Sequence, residues 1–294
     1  MRERVRQNSG AMQDWYQQDE FKPFSLTHDD SDETCPGAFL VHGFTGTPAE
    51  LRPLGNALFD LGCDAHAMLV RGMGSEIGTL NSMTARIWRE SSVERWREHA
   101  AHYRRTILIG YSLGGAIALI QSADYPPDLL ILLAPHLRLA DRRGFLLPIA
   151  KHVVKELNSV GETDFSNAET RLWWSRTMPG LDLDDPAVQE SIRNSTPMSM
   201  AMLDQMRRLS RDGERAARLV PSATVIIQGT RDTISLPRHT ERMAKRLSNL
   251  AAYHAISADH MLQFEAFPSW PDVRRLIEEA VVNAFPALRK PVAG

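Results

Sequence analysis

Six short stretches of this chain are mostly apolar and show no polar alternation: Ala38–Val41, Ala65–Val70, Thr106–Ile109, Leu129–Ala134, Ala223–Gln228 and Ala251–Ile256. A strand with one face in water alternates polar and apolar residues. Unbroken runs belong to strands covered on both faces. Helical patterns separate the runs. Thr47-Pro48-Ala49-Glu50 has a capping residue, a proline at the first helical position and a first-turn acid, and that helix is expected to reach Leu61, with Gly62 as its stop. Thr84–Tyr103 is amphipathic, with Ile87, Trp88, Trp96 and Ala100 near one face. Leu113–Ser122 is an apolar helix, and Val273–Phe285 closes the chain as another. The expected fold class is therefore α/β, a mostly parallel sheet with helices on both faces.

One region departs from this alternation. Residues 137–219 read as helices and loops without a strand, and more than eighty residues are too many for one crossover. They are expected to form an inserted helical cap over the C-terminal edge of the sheet, where open α/β folds bind ligands. The core is then 35–136 with 220–294. Residues 1–34 are an N-terminal arm or first hairpin, with a short strand near Phe24–Thr27.

The balance of charge narrows the function. A formal net charge of −2 gives no footprint for nucleic acid or anionic lipid. Arg207, Arg208, Arg211, Arg215 and Arg218 are interrupted by Asp212 and Glu214, and read as a solvated helix face. Cys35 and Cys63 lack metal-ligand spacing and are expected as reduced thiols, so neither metal nor cofactor is called for. The first twenty residues lack the apolar core of a signal peptide, and no stretch reaches membrane-spanning length. A cytoplasmic location is expected.

Gly110-Tyr111-Ser112-Leu113-Gly114 fits G-x-S-x-G between a buried strand and an apolar helix. In that setting the serine occupies a tight turn with its hydroxyl exposed, and the flanking glycines avoid collision with neighbouring backbone. A serine that merely caps a helix leaves those glycines unexplained. Serine needs a base and the base an orienting carboxylate, in chain order Ser, acid, His. Strand 223–228 runs into Gly229-Thr230-Arg231-Asp232, and strand 251–256 into Ser257-Ala258-Asp259-His260. Ser112, Asp232 and His260 are therefore expected at one sheet edge as nucleophile, acid and base. Asp259 adjoins His260, but neighbouring side chains on an extended loop point apart. Oxyanion donors are expected at the Leu113 and Phe44 amides, with His42 bracing the turn.

Leu40-Val41-His42-Gly43-Phe44-Thr45-Gly46-Thr47-Pro48, with the elbow and the Asp and His loops, resembles the bacterial carboxylesterase and monoacylglycerol lipase family over about Gly37 to Phe285. Leu183–Val188 and Ser195-Thr196-Pro197 are similar to that family's small cap. The resemblance implies an α/β-hydrolase fold and hydrolysis of carboxylic esters, with acyl glycerols or other medium-chain acyl esters as small-molecule substrates. It carries over Ser112, Asp232 and His260 as the triad and Phe44 and Leu113 as donors. Two features depart from the family: Arg71-Gly72-Met73-Gly74 replaces its K/R-G-H-G turn, and Arg138–Asn167 lengthens the cap.

Within the cap, Leu146, Leu147, Ile149, Val153, Val154 and Leu157 form an apolar stripe, followed by Trp173, Trp174, Met198, Met200, Met202 and Met206. These either pack the cap onto the sheet or, at Trp173 and Met202, line an acyl pocket. The Phe145–Val154 helix is also a candidate for weak interfacial contact. The reading is a serine esterase or lipase working through an acyl-enzyme. Thioester, amide and C–C bond hydrolysis share the same triad, and a non-catalytic binding protein would be expected to lack one of its members.

Overall fold

In the computed structural model, residues 15–29, 35–139, 147, 156–157, 161–177, 181–194 and 198–288 are described. Seven strands form one sheet: β1 (Phe24–Leu26), β2 (Gly37–Val41), β3 (Asp64–Met68), β4 (Thr106–Tyr111), β5 (Leu129–Leu133), β8 (Ala223–Gly229) and β9 (Leu250–Ile256). Their order is β1-β3-β2-β4-β5-β8-β9. Only β1 runs antiparallel, pairing with β3. The mostly parallel, two-faced sheet expected from the apolar runs is what forms.

The reason is visible along the strands. In β5, Leu129, Ile131 and Leu133 enter one core while Leu130 and Leu132 enter the other. Successive side chains leave opposite faces of a strand, so burial on both sides requires apolar residues at every position. The first core is covered by α1 (Arg52–Asp60) and α8 (Trp270–Ala284), through Leu54, Leu58, Val273 and Ile277. The second is covered by α2 (Ala85–Ala100), α3 (Leu113–Asp124) and α7 (Pro237–Ala244), with Trp88 and Trp96 fully buried.

Local chemistry sets the helix ends. Thr84 caps α2, its hydroxyl accepting the Ile87 N–H at 3.1 Å. The helix expected from Thr47 is instead split. Residues Pro48–Leu51 form a 3-10 turn without a side-chain cap from Thr47, and α1 starts at Arg52. Pro53 lacks an N–H and fits only the first turn of an α-helix, so the helix begins around it.

Between β5 and β8 the described chain forms α4 (Ala168–Thr177), α5 (Pro186–Arg193) and α6 (Met200–Ala216). It also forms a two-residue ladder, β6 (Glu156–Leu157) with β7 (Met198–Ser199), where the sequence suggested no strand. Two residues are too short to carry a periodic signal. Helix α6 packs on α3, where a Cβ on Gly213 would press within 2.6 Å of the Ala116 carbonyl oxygen. The N-terminal arm joins the same insert: Trp15, Tyr16 and Phe21 bury against Phe165, Trp174, Leu183 and Ile192. Most of the Leu146–Leu157 stripe, including most of the Phe145–Val154 helix, lies outside the described residues. Among the described residues, no helix is long and apolar enough to cross a membrane.

Gly114 shows how tightly the centre is assembled. A Cβ there would collide with the backbone carbonyls of Val41 and His42. Gly114→Ala is therefore expected to lower unfolding free energy by about 3 kcal/mol or more, since rigid backbone cannot give way. Urea denaturation would measure it, and a loss below about 1 kcal/mol would show that the contact relaxes.

Candidate active site

Strands β4, β5, β8 and β9 end at a common edge, with Tyr111 opposite Leu133, Leu133 opposite Ile227 and Gly229 opposite Ile256. The loops that follow carry Ser112, Asp232 and His260 to that edge. Ser112 sits between β4 and α3 at φ 52°, ψ −118°, a left-handed conformation that a side-chain-bearing residue rarely adopts. Its N–H donates to the Leu133 carbonyl at 2.9 Å, and its carbonyl accepts from His136 N–H at 2.8 Å and Gly115 N–H at 2.9 Å. The turn is held from both sides.

The three side chains form one continuous hydrogen-bonded chain. His260 Nδ1 lies 2.8 Å from Asp232 Oδ2, and His260 Nε2 lies 2.9 Å from Ser112 Oγ. A carboxylate only accepts, so Nδ1 carries the proton and Nε2 is left to accept from the hydroxyl. All three residues are buried.

Asp232 is fixed beyond this contact. Its Oδ1 accepts the Ile234 and Ser235 amides, both at 2.8 Å, and its Oδ2 also accepts from Gln228 Nε2 at 3.1 Å. Gln228 in turn accepts the Thr240 hydroxyl at 2.8 Å. Asp259, by contrast, is exposed and accepts the Met261 amide at 2.9 Å. Its carboxylate closes its own loop.

The donor side is arranged around His42-Gly43-Phe44. Leu113 opens α3, and Phe44 follows the β2 loop glycine. Neither backbone N–H donates to a protein group among the described residues. His42 braces this loop, as the sequence suggests: Nε2 accepts the Val70 N–H at 2.9 Å, so Nδ1–H donates to the Gly43 carbonyl at 2.8 Å. Burial lowers its pKa to about 4, which keeps the ring neutral.

Glu50 does more than favour a helix start. Its carboxylate turns back and accepts the Gly43 N–H at 2.6 Å. The residue keeps some solvent access, but packing around its carboxyl raises the pKa to about 7, against the Gly43 amide and the Gln263 side chain, which lower it.

Sequence reasoning missed Gln228, His136 and Glu50 as supporting residues. Gln228 had a usable signal, an amide closing a buried strand just before the acid loop. His136 has none, since its partners are 24 and 74 residues away: its N–H holds Ser112, and its Nδ1 meets Ser210 Oγ on α6 at 3.0 Å. Burial lowers its pKa to about 4.

Met202, expected either to pack the insert or to line an acyl pocket, is 1% exposed and shares a buried cluster with Leu113, Ile117, Leu137 and Met206, an arrangement that packs the insert onto the sheet's helices. The side chain of Trp173 lies outside the described residues.

Cys35 and Cys63 are free thiols. Cys35 joins His28 and Asp64 at the opposite edge of the sheet. There Asp64 is already occupied by the His28 N–H at 2.9 Å and the Tyr103 hydroxyl at 3.1 Å.

The buried imidazoles set an acid limit on stability. His42, His99 and His136 have folded pKa values of about 4, 3 and 4, below their ordinary value, because burial disfavours the charged ring. Their contribution is complete above about pH 6.5 and is lost as pH falls, because the unfolded chain then takes up protons that the folded one refuses. Glu50, raised to about 7, works in the opposite direction between about pH 4.5 and 7. Unfolding free energy should therefore fall on acidification from pH 6.5 to 4.5, by up to roughly 1.4 kcal/mol per pH unit for each net proton. Glu50→Gln should steepen the slope and His136→Phe should flatten it. Denaturation at graded pH reads both, and a flat wild-type profile would contradict neutral buried rings.

Comparison with known proteins agrees with this architecture. The family model described as serine aminopeptidase, S33, matches residues 37–266. A thermostable monoacylglycerol lipase from Bacillus sp. (strain H-257) is 25% identical over 233 residues, covering 76% of this chain and 84% of that lipase. Among solved structures, the work on the metagenome-derived lipolytic enzymes LipS and LipT gives a TM-score of 0.68 at 15% identity, covering 92% of this chain and 98% of that one. The monoacylglycerol lipase of Paleococcus ferrophilus gives 0.62 at 17% identity, covering 89% and 98%. The structural likenesses establish the α/β-hydrolase fold.

Proposed function

The chain belongs to the serine aminopeptidase S33 family of α/β-hydrolases, and from that premise we propose that it is a serine carboxylic-ester hydrolase of the carboxylesterase or monoacylglycerol lipase type. The observation that carries this reading is the unbroken chain from Ser112 Oγ through His260 to Asp232 Oδ2. Similarity to a monoacylglycerol lipase supports an acyl ester as the small-molecule substrate.

The mechanism follows from the donors and acceptors. Ser112 Oγ attacks the ester carbonyl carbon while His260 Nε2 takes the hydroxyl proton. Negative charge moves to the carbonyl oxygen, which the Phe44 and Leu113 amides receive. The tetrahedral intermediate collapses, the imidazolium gives its proton to the departing alkoxide, and the acyl group stays on Ser112. Water, deprotonated by His260, then attacks the acyl-enzyme, and the second tetrahedral intermediate collapses to the free acid as His260 returns the proton to Ser112 Oγ. Asp232, held by two amides and Gln228, keeps the imidazole in one tautomer and stabilises the imidazolium. Helices α4, α5 and α6, within the expected 137–219 insert, serve as the cap over this edge, and the enzyme works in the cytoplasm without metal or cofactor.

The substrate class is tested by hydrolysis of p-nitrophenyl esters of graded chain length beside monoacylglycerols, acyl-CoA and aminoacyl amides. Esters turned over at least about tenfold faster, by kcat/KM, support the proposal, while preference for amides or thioesters would overturn it. The acid is tested separately. Asp232→Asn should lower kcat by at least about 10², since an amide favours the wrong tautomer, whereas Asp259→Asn should stay within about tenfold. If Asp259→Asn is the crippled variant, the assignment fails.

A further inference from the structure

Between α2 and α6 lies a cavity of about 460 Å³ whose walls carry Arg86, Arg207, Arg208, Arg211 and Arg215 against a single acid, Asp212. The four arginines of α6 recur at spacings that place them on one helix face. Like charges four residues apart on a helix are unfavourable, so such a row needs compensation.

Among the described residues, compensation is incomplete. Asp204 is fully buried and serves two arginines, with Arg207 Nη2 at 2.6 Å from Oδ1 and Arg208 Nη2 at 3.2 Å from Oδ2. Arg215 pairs with Asp212 at 3.1 Å, and Arg86 with Glu90 at 3.2 Å. Arg211, in the middle of the row, has no carboxylate partner among the described residues. Five guanidiniums thus face three carboxylates, on a chain whose overall charge is −2. Arg86, Arg208, Arg211 and Arg215 are exposed, the solvated face expected from sequence, while Arg207 is buried beside Asp204.

We propose that this cavity is a binding site for a phosphate-bearing ligand. Asp204 holds Arg207 and Arg208 in place through one oxygen each, and both guanidiniums keep N–H groups free for a further acceptor. Guanidinium forks match tetrahedral oxyanions, and Arg207, buried and hydrogen-bonded to Asp204 through Nε and Nη2, is oriented before any ligand binds. The Ala85 N–H bonded to Gln205 Oε1 at 3.2 Å ties the two helices together across the site. The volume exceeds what one inorganic phosphate fills, which favours a diphosphate or a phosphate monoester. No aromatic side chain lines the cavity among the described residues, so recognition falls on the phosphate and not on a stacked base.

Isothermal titration of the full chain with pyrophosphate tests this, with inorganic phosphate and sulfate at matched ionic strength as comparisons. A parallel arm measures flotation with phosphatidylcholine vesicles containing phosphatidic acid. Pyrophosphate should bind with Kd below about 1 mM at low salt and more tightly than sulfate. Arg211→Gln and Arg208→Gln should each weaken it at least about tenfold. Arg275→Gln, on α8 across the sheet, should leave it unchanged. Arg211→Gln removes no ion pair, so folding and ester hydrolysis should match wild type. Flotation without pyrophosphate binding, lost in Arg211→Gln, would assign the phosphate to a lipid headgroup. Absence of both, or binding indifferent to Arg211→Gln, would overturn the proposal.

Discussion

Ser112 is held at φ 52°, in a backbone region that costs a residue with a Cβ about 1–3 kcal/mol. Much of the surrounding structure meets that cost. Leu133 accepts its amide, His136 and Gly115 donate to its carbonyl, and Gly110 and Gly114 carry no side chain where backbone crosses backbone. The parallel order β2-β4-β5 is what brings these partners together, since each loop leaves its strand at the same edge. A serine at the end of an ordinary helix would need none of this support.

The same edge explains why one acid is built in and its neighbour is not. Asp232 lies beyond β8, adjacent to β9, so its side chain meets the imidazole from the next loop. The support continues away from the histidine, through Gln228 to Thr240 on α7. His136 makes a second connection, linking the serine turn to Ser210 on α6. Helix α6 therefore faces two ways. Its buried side packs the insert onto α3, and its outer side presents the arginine-lined cavity.

What could be read from the sequence followed from local rules. Unbroken apolar runs announced a sheet covered on both faces, and the glycines around Ser112 announced close backbone contact. The meeting of Ser112, Asp232 and His260 at one edge was legible because strand ends fix which loops share an edge. Of the supporting residues, Gln228 left a local signal, whereas His136 was hidden because long-range packing sets its partner Ser210, 74 residues away. The Arg208–Arg215 face is exposed, as its charge spacing suggests, but charge spacing gives no depth, and the buried Asp204 beneath it was not legible. The split at Pro48–Leu51 was a missed reading of Pro53.

The central claim is that Ser112 carries the acyl group during turnover. Acid-quenching the protein while it hydrolyses a p-nitrophenyl ester, followed by intact-mass and peptide mass spectrometry, tests it directly. The account predicts one acyl group per chain, located on the Ser112 peptide, and no adduct in Ser112→Ala. An adduct on another residue, or rapid turnover in Ser112→Ala, would contradict it.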